Sequence, residues 1–239
     1  MSLLEVTQRF LRRHSIRLDA SMDEQQLVDE SAISRLVSSA EVEPGDTAVE
    51  VGPGVGNITD ALLSVAGRVI AVEKNPKYVP VLLDRFGGST RLEITIGDAL
   101  RVSYPPHDRL VSNLPYMICE ALVQSLPGLS FKAAALIVSE GFGQKITANE
   151  GMEGYSKLSY VNQLYFSVVK VVDVPRDAYL PEPRASTCII KVKPREVEDM
   201  VERIMRELLR QRGKIVGACP TIARMAGSAP KEKRTATIG

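Results

Sequence analysis

EPGDTAVEVGPGVGNITDALLSVAG, residues 43–67, decides the fold. A Pro-Gly turn leads into a short apolar run around Ala48 to Val51, then into three glycines at alternate positions, then into a helical pattern. That order is the opening strand-loop-helix unit of a doubly wound α/β sheet. The glycines Gly52, Gly54 and Gly56 spell GxGxG. A dinucleotide fingerprint, GxGxxG, needs a glycine at position 57, where this chain has Asn57, so a nicotinamide-dependent oxidoreductase is disfavoured.

Working outward, strand-like runs follow at 68–72, 92–96, 109–113, 133–138, 164–174 and 187–192, with helical segments between most of them. The last two runs are joined by VPRDAYLPEPRAS, which leaves no room for a helix, so they are expected to pair as an antiparallel hairpin with a proline-stiffened connection. A seven-stranded, otherwise parallel sheet ending in such a hairpin is the class I methyltransferase architecture. On the N-terminal side, residues 3–14 and 23–42 read as two helices packing on the sheet. After Pro194 comes a charged amphipathic stretch, EVEDMVERIMRELLRQRGK, expected to form a short helical appendage. The expected organisation is an N-terminal helical segment over 1–45, a Rossmann-like core over 46–195 and a small C-terminal region with a basic tail over 196–239.

The 239 residues carry a formal charge of +1 and 44% hydrophobic residues, enough for a sizeable core. No run reaches the roughly 18 to 20 apolar residues of a membrane span, and no signal-peptide pattern opens the chain, so the expectation is a cytoplasmic protein without membrane contact. Cys119, Cys188 and Cys219 lie far apart, a pattern that suits neither a disulfide framework nor a zinc site. His14 and His107 have no metal or triad partner at recognisable spacing, and no metal is expected. Basic residues gather from Arg203 to Arg234, a stretch that either neutralises nucleic-acid phosphates or forms a solvated face.

Glu73 closes the second strand 21 positions after Gly52, where a carboxylate can accept both hydroxyls of an adenosine ribose. Asp98, at the end of the third strand, is placed to accept from an adenine amino group. Either acid alone could be a cap or a turn residue. In order with the glycine loop, they compose an adenosyl pocket suited to S-adenosylmethionine, which has no pyrophosphate to place on a helix N-terminus. The fourth strand then delivers SNLPY, residues 112–116, to the same edge. Oxygens of Asn113 and Leu114 can accept the hydrogens of an exocyclic amine, Pro115 fixes the backbone, and Tyr116 offers a ring for a planar base.

These residues resemble the ribosomal RNA adenine dimethyltransferases, over Gln8 to Arg195. The resemblance is carried by LVDESAISRLVSSAEVEPGDTAVEVGPGVGNIT, VEKNP, GDAL, SNLPY, YSKLSYVNQLYF and VPRDAYLPEPRASTCIIKVKPR. It implies N6-methylation or dimethylation of adenine in small-subunit ribosomal RNA by a monomer that binds the small ribosomal subunit and uses S-adenosylmethionine. It assigns Leu27, Gly52, Gly54, Gly56, Glu73, Lys74, Asp98, Ala99 and Asn113 to the cofactor's surroundings, and Asn113, Leu114, Pro115 and Tyr116 to the target adenine. YLPEP stands where the family has FxPxP, which makes Tyr179 the expected second aromatic wall, with Pro181 and Pro183 stiffening its loop. Departures from the family pattern fall at EQQL (24–27) in place of Gln-x-Phe-Leu, at the acidic LDASMDE (18–24) in place of basic residues, and at SEG (139–141) in place of Gln-Lys-Glu. Three other readings stay open: a paralogue acting on another RNA, one acting on a small molecule or protein, and an assembly factor with little catalysis.

Overall fold

In a computed structural model that describes residues 1–19, 22–196 and 203–204, the chain begins with helix α1 (Leu3–Arg13), the two-residue strand β1 (Gln26–Leu27) and α2 (Glu30–Ser39). Alternation follows: β2 (Thr47–Val51), α3 (Asn57–Val65), β3 (Arg68–Glu73), α4 (Val79–Phe86), β4 (Leu92–Ile96), β5 (Arg109–Asn113) and α5 (Tyr116–Ser125). Then come β6 (Ala133–Ser139), α6 (Glu140–Thr147), α7 (Lys157–Tyr165), β7 (Phe166–Val174), the short β8 (Tyr179–Leu180) and β9 (Thr187–Pro194). Residues Met1–Pro194 form one compact unit, and the remainder forms a second. The expected C-terminal helix and basic tail lie outside the described residues, apart from positions 196, 203 and 204.

The sheet order is β4-β3-β2-β5-β6-β9-β7. The pairs from β4 to β6 are parallel, whereas β9 runs antiparallel to both β6 and β7, so the sheet ends in the expected hairpin. This is the class I methyltransferase sheet. Its central strands read as continuous apolar runs because helices cover both faces, and every residue of Ala133–Val138 is fully buried. The order reverses between β2, which leads to β3, and β5, which leads to β6. The carboxyl ends of β2 and β5 therefore flank the crevice where open α/β sheets bind ligands.

The second helix is shorter than the pattern over 23–42 suggests. Asp29 caps α2, its side chain accepting from Ala32 N at 2.6 Å. The backbone before that cap is held in extended form, because Gln26 and Leu27 pair with Leu180 and Tyr179 while Val28 N and Asp29 N both donate to Ala178 O. Contacts about 150 residues away in sequence thus override the local helical periodicity. The SEG departure still yields a helix, α6, in which Gly143 packs against Cys188 on β9 where a methyl group would collide with the sulfur.

Candidate active site

At the carboxyl edge, the glycine loop is fixed by long-range bonds. Gly54 N donates to Glu73 Oε2 at 3.2 Å, and Asn75 N donates to Glu73 Oε1 at 2.7 Å, which leaves the outer lone pairs of that carboxylate for a ligand. Burial pushes the Glu73 carboxyl above the ordinary range, against the backbone donors that hold it down. Gln26 reaches over from β1, its Oε1 accepting from Val55 N at 3.0 Å. Gly54 has φ of 55°, and a side chain there would run into that Gln26 amide, so only glycine permits the contact.

Glu73, Lys74, Asp98 and Ala99 line a cleft of about 430 Å³ together with Gly52 and Gly54. That is room for a small-molecule ligand. Asp98 accepts from Leu100 N at 3.0 Å and from Lys74 Nζ at 3.0 Å, and these bonds, the backbone one first, hold its carboxyl below the usual range. Asn75 Nδ2 and Lys77 Nζ both donate to Glu24 Oε1, which brings the acidic segment to the same rim.

The end of β5 adjoins directly. Ser112 Oγ donates to Val51 O at 2.5 Å, tying β5 to β2 just below the edge. Leu114 is buried and its N donates to Ile137 O at 3.1 Å, which continues the β5–β6 pairing one residue past Asn113. Pro115 then turns the chain and caps α5 as its flanking residue, so Tyr116 opens that helix. Pro115 also sits against Gly52, whose missing Cβ would lie 3.5 Å from the proline Cγ. Tyr116 is half-buried, and its phenol is pushed up, first by burial and then by Asp23. Asp23 itself accepts from Met117 N at 3.0 Å, across 94 positions of sequence.

Comparison with known proteins decides what this edge belongs to. The family model described as ribosomal RNA adenine dimethylase matches residues 17–219. The chain belongs to the ribosomal RNA adenine dimethylase family. A protein of Methanosarcina mazei named probable ribosomal RNA small subunit methyltransferase A is 37% identical over 186 residues, covering 77% of this chain and 68% of that protein. The protein of the same name from Thermococcus onnurineus is 34% identical over 211 residues, covering 87% and 77%. Among solved structures, a dimethyladenosine transferase from Plasmodium falciparum superposes with a TM-score of 0.67 at 26% identity, covering 82% of this chain and 76% of that one. The 23S rRNA methyltransferase ErmE, at 24% identity, shares the fold with a TM-score of 0.68, covering 84% and 82%.

Within this family member, the site residues expected from sequence divide into two groups. Gly52, Gly54, Glu73, Lys74, Asp98, Ala99 and Pro115 come together around the cleft, and Asn113, Leu114 and Tyr116 flank Pro115. Leu27, Gly56 and Tyr179 do not line the cleft, but Tyr179 lies close enough to Tyr116 for the two phenols to interact. Leu27 and Tyr179 are strand partners in the hydrophobic core, and the Tyr179 hydroxyl shares a hydrogen bond with Thr187 Oγ1 at 2.7 Å. Adjacent residues of a strand face opposite ways, so it is Gln26, not Leu27, that reaches the glycine loop. Gly56, at φ 86°, begins α3 with a Cβ position 2.6 Å from Phe86 Cε2 and thus allows α3 and α4 to approach.

Four residues that the sequence reading did not place at the site act there or behind it. Gln26 and Asp23 have been described. Asn57, which replaces the dinucleotide glycine, is a buried hub: its Nδ2 donates to Thr7 Oγ1 and Leu27 O, both at 2.8 Å, and its Oδ1 accepts from Arg85 at 2.9 Å. The same Arg85 donates to Val55 O at 2.6 Å, so α1, α4 and the glycine loop are tied at one point. Glu50, on buried β2, accepts from Thr59 Oγ1 at 2.6 Å through Oε2, while Oε1 has no partner among the described residues. An acid inside an apolar strand is a signal legible in VEV itself.

Proposed function

We propose that the chain transfers methyl groups from S-adenosylmethionine to the N6 amine of adenine in small-subunit ribosomal RNA, through to the dimethylated product. The reading is carried by the adjacency of two half-sites: a cleft with a fixed carboxylate at the end of β3, and Asn113, Leu114, Pro115 and Tyr116 at the end of β5, in contact through Gly52 and Pro115. Glu73, Gly52, Gly54 and Asp98 suit the cofactor, because the cleft offers a ribose-accepting carboxylate and bare backbone rather than a phosphate cradle. When bound, S-adenosylmethionine supplies the electrophilic methyl group.

The chain's own residues orient the acceptor. Adenine's N6 lone pair is delocalised into the ring, so attack requires the amine to be turned. Asn113 Oδ1 and the Leu114 carbonyl accept the two N6 hydrogens and aim the nitrogen at the cofactor side. The Tyr116 ring stacks on the base, and its raised phenol stays neutral throughout the physiological range. No general base precedes attack, since the proton leaves afterwards. We read the protein as a cytoplasmic monomer and assign the basic stretch from Arg203 to Arg234 to contact with RNA phosphates.

Labelled S-adenosylmethionine incubated with small ribosomal subunits lacking the modification is expected to give dimethyladenosine on nucleoside mass spectrometry. Transfer to some other acceptor, with none to the subunits, would remove the ribosomal assignment.

A further inference from the structure

Beside the cleft, the structure carries an apolar feature that the adenosyl and acceptor roles do not use. Met117 is 78% exposed and Met22 is 62% exposed, yet both line the cleft. Met117 is the second residue of α5, immediately after Tyr116. Local chemistry favours an acid there, because the first turn of a helix presents unpaired amides and the positive end of the dipole. This first turn has none, and the carboxylate comes instead from Asp23, which accepts from Met117 N. The backbone of Met117 is thereby satisfied from across the fold while its thioether side chain stands free at the mouth. Two flexible, polarizable side chains in water beside a base-sized cleft offer a surface for an aromatic plane.

We propose that Met117, with Met22 on the same rim, packs against the RNA base next to the target adenine and fills the gap left in the stack when the target turns toward Asn113. This rests on the reading of the protein as an RNA adenine methyltransferase and adds a recognition element outside Asn113, Leu114, Pro115 and Tyr116. An adenine within a stacked strand must leave its neighbours to reach an enclosed site, and unstacking opposes that step. Apolar side chains, methionine among them, insert between base steps in other nucleic-acid complexes and replace the lost contact. Methionine also tolerates any neighbouring base, because every base has a π-face.

The test is a double-mutant cycle between protein and RNA, using the full chain with S-adenosylmethionine present. Wild type and Met117→Ala are titrated with an RNA hairpin carrying the target adenine in its loop, and with the same hairpin made abasic at the neighbouring position, on each side in turn. Met117→Ala is expected to weaken binding of the intact hairpin about tenfold. One abasic hairpin is expected to bind wild type about tenfold more weakly and to show no further loss with the variant. Met117→Leu should keep most of the affinity; because Met117 also lines the cofactor cleft, S-adenosylmethionine is held at saturation for each variant, its Kd measured by calorimetry. Equal losses on intact and abasic RNA, or no loss on either, would each overturn the inference. Wild type that methylates no RNA adenine would overturn the proposed function and this inference with it; normal methylation without coupling overturns the inference alone.

Discussion

Glu50 is an acid that the fold keeps largely protonated near neutral pH. Its carboxyl is pushed to about 8, first by burial, with Glu73 adding to the effect and Thr59 and Arg85 opposing it. The folded chain therefore holds a proton that the unfolded chain releases near the ordinary carboxylate value of about 4.3. Stability falls wherever the folded state binds more protons, so Glu50 lowers stability progressively as pH rises from about 4.5 to about 8, and the loss is complete above that. Thermal melts from pH 5 to 9 should show this decline in wild type and a flatter profile in Glu50→Gln; parallel profiles would refute the assignment. Glu73 is tested by ligand rather than by stability. Hydrogen bonds to a charged group are worth about 1.5 to 3 kcal/mol, so Glu73→Gln should weaken S-adenosylmethionine binding roughly tenfold to a hundredfold by calorimetry, with the far-UV spectrum unchanged. Glu73 and Asp98 were legible from sequence because each ends a strand at fixed spacing from the glycine loop. Gln26 was not, because its position depends on the pairing of β1 with β8, which no local pattern announces.

At the level of elements, the same glycine-rich helix contains opposite cases. Both Gly141 and Gly143 lie in α6, and each weakens a helix by about 1 kcal/mol relative to alanine. A Cβ at Gly141 meets nothing within 4 Å, whereas one at Gly143 runs into Cys188 Sγ, itself fully buried on β9. Overpacking of this kind costs about 1 to 3 kcal/mol and outweighs the helix gain. Urea denaturation should find Gly141→Ala more stable by about 0.5 to 1 kcal/mol and Gly143→Ala less stable by about 1 to 2 kcal/mol; a stabilised Gly143→Ala would mean that α6 can lift from the sheet. The strands and the hairpin were readable from apolar runs and from the absence of helix room between 174 and 187. The start of α2 was not, because long-range pairing to Ala178, Tyr179 and Leu180 competes with helical periodicity before Asp29. YLPEP does identify the loop, which brings the Tyr179 phenol within electrostatic reach of Tyr116, whereas the hydrogen bond of Tyr179 to Thr187 is not legible in it.

For the molecule as a whole, charge separates its two ligands. The formal net charge is only +1, so attraction to RNA depends on where the cations stand. Arg9, Arg12 and Arg17 are exposed on or just after α1, and further basic residues run from Arg203 to Arg234, while acids gather at the cleft rim in Asp23, Glu24 and Asp98. A small cofactor enclosed against Glu73 and the glycine loop displaces few counterions. An RNA strand laid over exposed arginines releases condensed ions as its phosphates are neutralised, and affinity then falls as a power of salt concentration with an exponent of about 0.7 per contact. Three contacts already amount to a loss of more than about tenfold between 50 and 200 mM salt. KM for unmodified small subunits should therefore rise at least about tenfold over that range, while Kd for S-adenosylmethionine changes by less than about twofold. An acceptor KM that does not respond to salt would contradict a polyanionic substrate and direct attention to an uncharged acceptor at the same Asn113 site.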